Sequence, residues 1–156
     1  MKILFKNATL INEKSPFHNQ KKDVLVVDGL LTQIEDQIEV EEATVIDKKD
    51  LHLSSGWFDP CVSFGEPGYE ERETLVNGLL TAAKSGFTHI VLNPDTHPAL
   101  DSLTDVSHLL QQSQGLTTLL HISASLSVAS KGENLAPLFE MHKAGAIAFG
   151  DFNITL

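Results

Sequence analysis

The chain has 156 residues, of which 42% are hydrophobic and 21% charged, and it carries a formal net charge of −10. That length holds one domain with a real core, or two small ones. The acidic balance argues against nucleic acid and anionic membrane surfaces as partners, since neutralising phosphates takes a basic patch and the basic pair Lys21-Lys22 reads as a solvated turn.

From the N-terminus, the apolar run Ile3-Leu4-Phe5 is too short for a signal segment or a spanning helix. A single cysteine leaves no internal disulfide framework, and both features point to the cytoplasm. Residues 1–55 read as short strands: Lys2 to Ile11, Asp23 to Val27, Leu30 to Ile34, Ala43 to Asp47 and Leu51 to Ser54. Asp28-Gly29 is a hairpin turn signal between the second and third. Short strands with polar turns predict a small β-sandwich segment.

From Gly56 the rhythm changes. Trp57 to Phe64 is extended, and Glu70 to Ser85 places Leu75, Val76, Leu79, Leu80 and Ala83 on one helical face, with Gly86 as the stop. Thr88 to Asn93 is the next strand. Asp101-Ser102 opens a helix that turns Leu103, Val106, Leu109 and Leu110 inward and closes at Gly115. Thr117 to Ser125 is a third strand. Asn134 caps a helix carrying Leu135, Leu138, Phe139 and Met141 up to Gly145, and Ala146 to Phe149 is the fourth strand.

Strands alternating with amphipathic helices predict an α/β fold with a parallel sheet. Four such strands in residues 56–156 are the first βα units of an incomplete TIM-like barrel, roughly the first half, since a full (β/α)8 barrel takes about 250 residues. A half-barrel leaves two strand edges open, so either the native product is longer or the piece pairs with a second copy; the first is the expectation here.

Catalytic groups of such barrels sit at the C-terminal ends of the strands. Here those ends are Asp59 to Phe64, Asn93 to Thr96, His121 to Ser127, and Phe149 to Asp151. Strand alternation places Asp59, Cys61 and Ser63 on one side. Gly65-Glu66-Pro67-Gly68 is turn chemistry without the spacing of a phosphate loop. No base can be set beside Cys61 from sequence, so no nucleophile–base pair is supported. Each candidate also has a plain structural reading. Cys61 is first a small buried apolar residue, and Asp59 fixes the strand end through backbone hydrogen bonds. Asp151 caps or turns a loop as readily as it serves a site. His89 reads as a polar strand edge, His97 as a surface loop residue, and His108 and His142 as solvent-facing; His121 alone lies on a strand near a site.

The run Gly56-Trp57-Phe58-Asp59-Pro60-Cys61-Val62-Ser63-Phe64-Gly65-Glu66-Pro67-Gly68 resembles the dihydroorotase signature, an Asp-x-His-x-His strand followed by Phe-Arg-Glu-Pro-Gly. The similarity continues through Tyr69 to Thr74, Gly78, Ala82 to Thr88, Pro94 to Pro98, Ser130-Lys131-Gly132 and Ala144 to Phe149. The resemblance implies a zinc-dependent cyclic amidohydrolase of pyrimidine biosynthesis, and its departures imply that this chain has lost that activity. The zinc-binding histidines of the family are replaced by Cys61 and Ser63, and a serine hydroxyl stays protonated and ligates zinc poorly. The substrate-carboxylate arginine falls at Gly65. The substrate-holding asparagine falls at Asp95, whose charge repels an anionic dihydroorotate. Of the family's acidic pair, Asp151 remains as a metal-ligand candidate.

The resemblance therefore implies a pseudoenzyme with no cofactor in this chain. Its expected partners are an aspartate carbamoyltransferase, which it would scaffold, or a second copy of itself. The alternative implied by the same family is an active amidohydrolase with an altered metal site, held by Asp151 and completed by residues beyond 156. A bare assembly module is a third reading.

Overall fold

A computed structural model describes residues 1–152. The chain divides into two compact units, Met1–Ser55 and Gly56–Leu156.

The first unit holds β1 (Lys2–Ile11), β2 (Lys21–Val27), β3 (Leu30–Glu35), β4 (Thr44–Asp47) and β5 (His52–Ser54). They form one sheet of order β3-β2-β1-β4, with β5 also on β1; β2 runs antiparallel to β1, and β4 and β5 run parallel to it. Asp28 and Gly29 both have positive φ, 50° and 81°, the backbone of the tight hairpin turn that Asp-Gly encodes. β1 is interrupted between Phe5 and Ala8. There Asn7 turns to φ 51°, and its N–H donates to the buried Asp23 carboxylate at 2.9 Å. Asp23 also accepts from the Ile38 N–H at 3.0 Å, so this buried charge is hydrogen-bonded as burial requires. One face packs Leu4, Leu25 and Ile38; an apolar groove bordered by Phe5, Val26, Leu31 and Ile34 lies elsewhere on the sheet. A sandwich needs two sheets, and the described residues of this unit supply one.

The second unit contains β6 (Trp57–Val62), α1 (Leu75–Lys84), β7 (Phe87–Leu92), α2 (Leu103–Gln112), β8 (Leu119–Ala124), a 3-10 turn at Val128–Ser130, α3 (Leu138–Ala144) and β9 (Ala146–Phe149). The four strands are parallel, in the order β6-β7-β8-β9. The helices cover one face. Leu75 and Leu79 of α1, Val106 and Leu109 of α2 and Met141 of α3 pack with Ile90, Leu92, Leu120 and Ile122 of the strands. On the other face Phe58, Leu119 and Ile147 are more than half exposed.

Three expectations are corrected here. Helix α1 begins at Leu75, not Glu70, because residues 65–72 are taken up by turns closed from the Tyr69 N–H to the Gly65 carbonyl and from Arg72 to Tyr69. Thr74 caps it by accepting the Asn77 N–H at 3.3 Å, and the Glu66 carboxylate accepts the Leu75 N–H at 2.7 Å, both natural at a helix N-terminus. Val76, Leu80 and Leu103, expected inward, are exposed; the buried stripe on α1 is the narrower Leu75, Gly78, Leu79 set. Asn134 does not cap α3. The bridge between Ser127 and Leu135 and the bond from the Ala136 N–H to the Leu126 carbonyl hold that stretch extended, and the helix starts only at Leu138.

Candidate functional site at the carboxyl edge of the parallel sheet

Because the four strands are parallel, their C-terminal ends share one edge, and the loops leaving that edge carry the candidate residues. The register slips between Asp59 and Val62, so simple alternation fails on β6. Asp59 pairs with Ile90, borders a cavity with Thr81 and Ala82 of α1, and accepts the Cys61 N–H at 3.0 Å. Ser63 borders the same cavity, and both Cys61 and Ser63 meet the end of β7.

Their shared partner is Asn93, which is nearly buried. Its side-chain amide donates to Cys61 Sγ at 3.3 Å and to Ser63 Oγ at 3.2 Å. One neutral amide thus occupies both groups at the positions where the resemblance expects zinc-binding imidazoles. Cys61 is exposed, which corrects its reading as a buried apolar residue: the thiol is drawn to a polar neighbour at the strand end. Asn93 was not singled out from sequence; its place two residues before Asp95, at a strand end, was the available signal.

Gly65 is buried at φ 143°, a conformation that L side chains rarely adopt. A Cβ there would lie 2.4 Å from the Tyr69 carbonyl oxygen. The position therefore has no space for a long side chain such as arginine. The two loops on this side are joined, with the His97 N–H donating to the Pro67 carbonyl at 2.9 Å. The Arg72 guanidinium lies 4.3 Å from the Tyr69 ring centroid, and Tyr69 in turn lies 6.3 Å from the His97 ring.

Asp95 borders a cavity of about 390 Å³ with His97, Asp101, Ser130 and Lys131. Its Oδ1 is buried and has no hydrogen-bond partner. An unpartnered buried carboxylate oxygen calls for a donor or a cation and disfavours another anion.

Asp151 is committed within the protein. Its Oδ2 accepts the Ser127 hydroxyl at 2.6 Å and its Oδ1 the Ser127 N–H at 3.0 Å. Ser127 is buried, and its Oγ also accepts the Gly132 N–H at 2.7 Å. Burial pushes the Asp151 carboxyl up, but bonds from the Ser127 hydroxyl and from the Ser127 and Leu126 N–H groups outweigh it and hold the carboxyl below the usual aspartate range. The loop it ties carries Ala129 and Ser130 at positive φ, 55° and 52°, and the Ala129 N–H is held by Asp101 at 2.7 Å.

These residues do not suit zinc. Cys61 and Ser63 are taken by Asn93, Asp151 is taken by Ser127, and among the described residues no three His, Cys, Asp or Glu side chains converge on one point. What the edge presents is a neutral amide cluster, a glycine without room for a side chain, and an acid wanting a donor. His89 and His121 meet each other across β7 and β8 at 3.0 Å, with His121 in register with Val91, two positions before Asn93; His108 and His142 are exposed.

A family model described as dihydro-orotase-like matches residues 53–156. The dihydroorotase of Ruminiclostridium cellulolyticum is 33% identical over 97% of this chain and 35% of its own length. That of Aquifex aeolicus is 33% identical over 97% of this chain and 36% of its own length. The chain thus spans about a third of these curated relatives. Among solved structures, the L-hydantoinase (dihydropyrimidinase) of Arthrobacter aurescens matches with TM-score 0.77 at 25% identity, covering 94% of this chain and 32% of that one. A dihydroorotase matches with TM-score 0.64 at 12% identity over 95% of this chain and 41% of its own, a likeness of fold alone. No described helix is long and apolar enough to cross a membrane.

Proposed function

We propose a function from one premise: the chain belongs to the dihydroorotase-like family. The parallel sheet is the first half of a (β/α)8 barrel, and the five-stranded sheet is part of the small sandwich that accompanies it. The chain acts in pyrimidine biosynthesis as a non-hydrolytic dihydroorotase homologue, in the cytoplasm, as a structural partner of an aspartate carbamoyltransferase.

The observation that carries the loss of hydrolysis is the Asn93 cluster. Zinc hydrolysis needs an ion that lowers the pKa of bound water to about 7 and polarises the scissile carbonyl. Cys61 and Ser63 are hydrogen-bonded to one amide instead of offering two imidazoles. Substrate orientation is weakened separately: Gly65 leaves no room for a cationic anchor, and Asp95 sets an unpartnered carboxylate oxygen where an anionic substrate would have to approach.

The competing reading, an active amidohydrolase whose metal is held by Asp151, is disfavoured because that carboxylate already accepts from Ser127 through both oxygens. Elemental analysis of the full-length protein, paired with a dihydroorotate ring-opening assay, tests the proposal. Substoichiometric zinc and no ring opening are expected; stoichiometric zinc with turnover overturns it. Co-elution with an aspartate carbamoyltransferase tests the partner, and separate elution of the two at micromolar concentration removes that part.

A further inference from the structure

The geometry points to a pH-sensitive clasp on the loop that joins β1 to β2: His18 holds residues 12–20 closed when its ring is neutral and releases them when the ring is protonated. The loop leaves β1 after Ile11 and enters β2 at Lys21. Its base is paired like a hairpin, with the Leu10 N–H donating to the Gln20 carbonyl at 3.0 Å and the Asn19 N–H to the Leu10 carbonyl at 2.8 Å. Above that base the loop is closed by the Asn12 N–H, which donates to His18 Nδ1 at 3.1 Å.

A backbone amide can only donate, so this bond fixes the state of the ring. Nδ1 must offer a lone pair, which places the proton of the neutral imidazole on Nε2. Uptake of one proton from solvent puts a hydrogen on Nδ1 and sets two N–H groups against each other. The bond is then lost and the ring turns away. Imidazole is the one side chain whose ordinary titration falls between pH 5 and 8, so the loop is held at the upper end of that range and released at the lower.

The bond matters because Asn12 organises the loop. Its Oδ1 accepts the Lys14 N–H at 3.0 Å and its carbonyl the Ser15 N–H at 2.9 Å, while its Nδ2 donates to Ser55 Oγ at 3.5 Å. Ser15 in turn accepts the His18 N–H through its carbonyl at 3.1 Å and the Phe17 N–H through its hydroxyl at 3.2 Å. The imidazole therefore closes a ring of contacts that runs from Asn12 through Ser15 and back.

His18 is half-buried. The charged and titratable groups around it are Glu13 and Lys14 in the loop, Lys21 and Lys22 on β2, and Asp50 and His52 beside β1. Lys22 is paired with Asp36, and His52 Nδ1 meets the Asp50 carbonyl at 2.7 Å. None of them hydrogen-bonds or ion-pairs with His18 among the described residues, so the titration acts on the Asn12 contact. Every group of the clasp lies within residues 10–20 or at Ser55, so it does not depend on what packs over the sheet. Asn12 and Ser15 also border the apolar groove beside Ile11 and Leu53, and release alters that end of the groove.

The test is nuclear magnetic resonance of the whole nitrogen-15-labelled chain between pH 8 and pH 5. At pH 8 the His18 ring should show the Nε2–H tautomer. The protection factor of the Asn12 amide should fall about 2- to 10-fold as His18 takes up its proton, the worth of one net hydrogen bond. In His18→Phe that protection should be low and flat across the range, whereas His52→Gln keeps the step. A parent ring in the Nδ1–H tautomer at pH 8 overturns the clasp, as does Asn12 protection that ignores the His18 titration. The parent tautomer decides the matter even where His18→Phe fails to fold.

Discussion

Replacing Asp151 with alanine separates an anchor from a metal ligand. The substitution removes the acceptor for the Ser127 hydroxyl at 2.6 Å and the Ser127 N–H at 3.0 Å, and leaves that buried serine with only the Gly132 N–H on its oxygen. Hydrogen bonds to a charged group contribute about 1.5–3 kcal/mol each. They share one carboxylate and are not additive, and Asp151 is partly exposed, which discounts its charge. A loss of about 2 kcal/mol results, or roughly 4–8 °C in Tm for a chain of this size. The pH dependence follows from the depressed carboxyl. A lowered folded pKa contributes stability that is present in full above the unfolded aspartate value of about 3.9 and is lost as pH falls through the lower folded value. The parent and the variant should therefore differ most near pH 7 and converge in acid. Thermal melts across that range, with and without zinc, measure this. A gap that persists in acid, or a zinc-induced rise in Tm that only the parent shows, refutes the anchor role.

Three further perturbations follow from the same structure. Asn93→Ala leaves the exposed Cys61 and Ser63 groups to water in place of their shared donor and should cost about 0.5–1.5 kcal/mol in urea denaturation; an unchanged midpoint would show that the cluster contributes nothing. Gly65→Arg introduces the residue type that the resemblance implies for this position but places a Cβ 2.4 Å from the Tyr69 carbonyl oxygen at φ 143°. It should destabilise by 2 kcal/mol or more, on the order of other strained substitutions, as read by soluble yield and melting; a variant as stable as the parent contradicts this. Leu79→Ala, fully buried, should lose about 2–5 kcal/mol, whereas Val76→Ala on the exposed side of α1 should lose under about 1 kcal/mol, a contrast that chemical denaturation resolves.

The parallel α/β organisation and the turn at Asp28-Gly29 were legible in the sequence because both depend on local signals: periodicity of apolar residues and a dipeptide that tolerates positive φ. Kinship was legible too, since Gly56 to Gly68 and the spaced motifs after it survive as a string. The departures at Cys61, Ser63, Gly65 and Asp95 are what the resemblance implies from residue type alone.

What those departures do was a matter of three-dimensional placement. That Asn93 satisfies Cys61 and Ser63 together depends on a register slip in β6 and on pairing with β7, neither of which a linear pattern encodes. Asp151 and Ser127 are 24 residues apart in the chain; they meet only because β8 and β9 are adjacent. His89 and His121, read one by one as an edge residue and a lone strand histidine, become a pair through the offset between neighbouring strands. Sequence alone determined which groups are present and which elements carry them. Only the tertiary structure decided which groups touch, because hydrogen-bond partners are set by strand register and loop closure and not by distance along the chain.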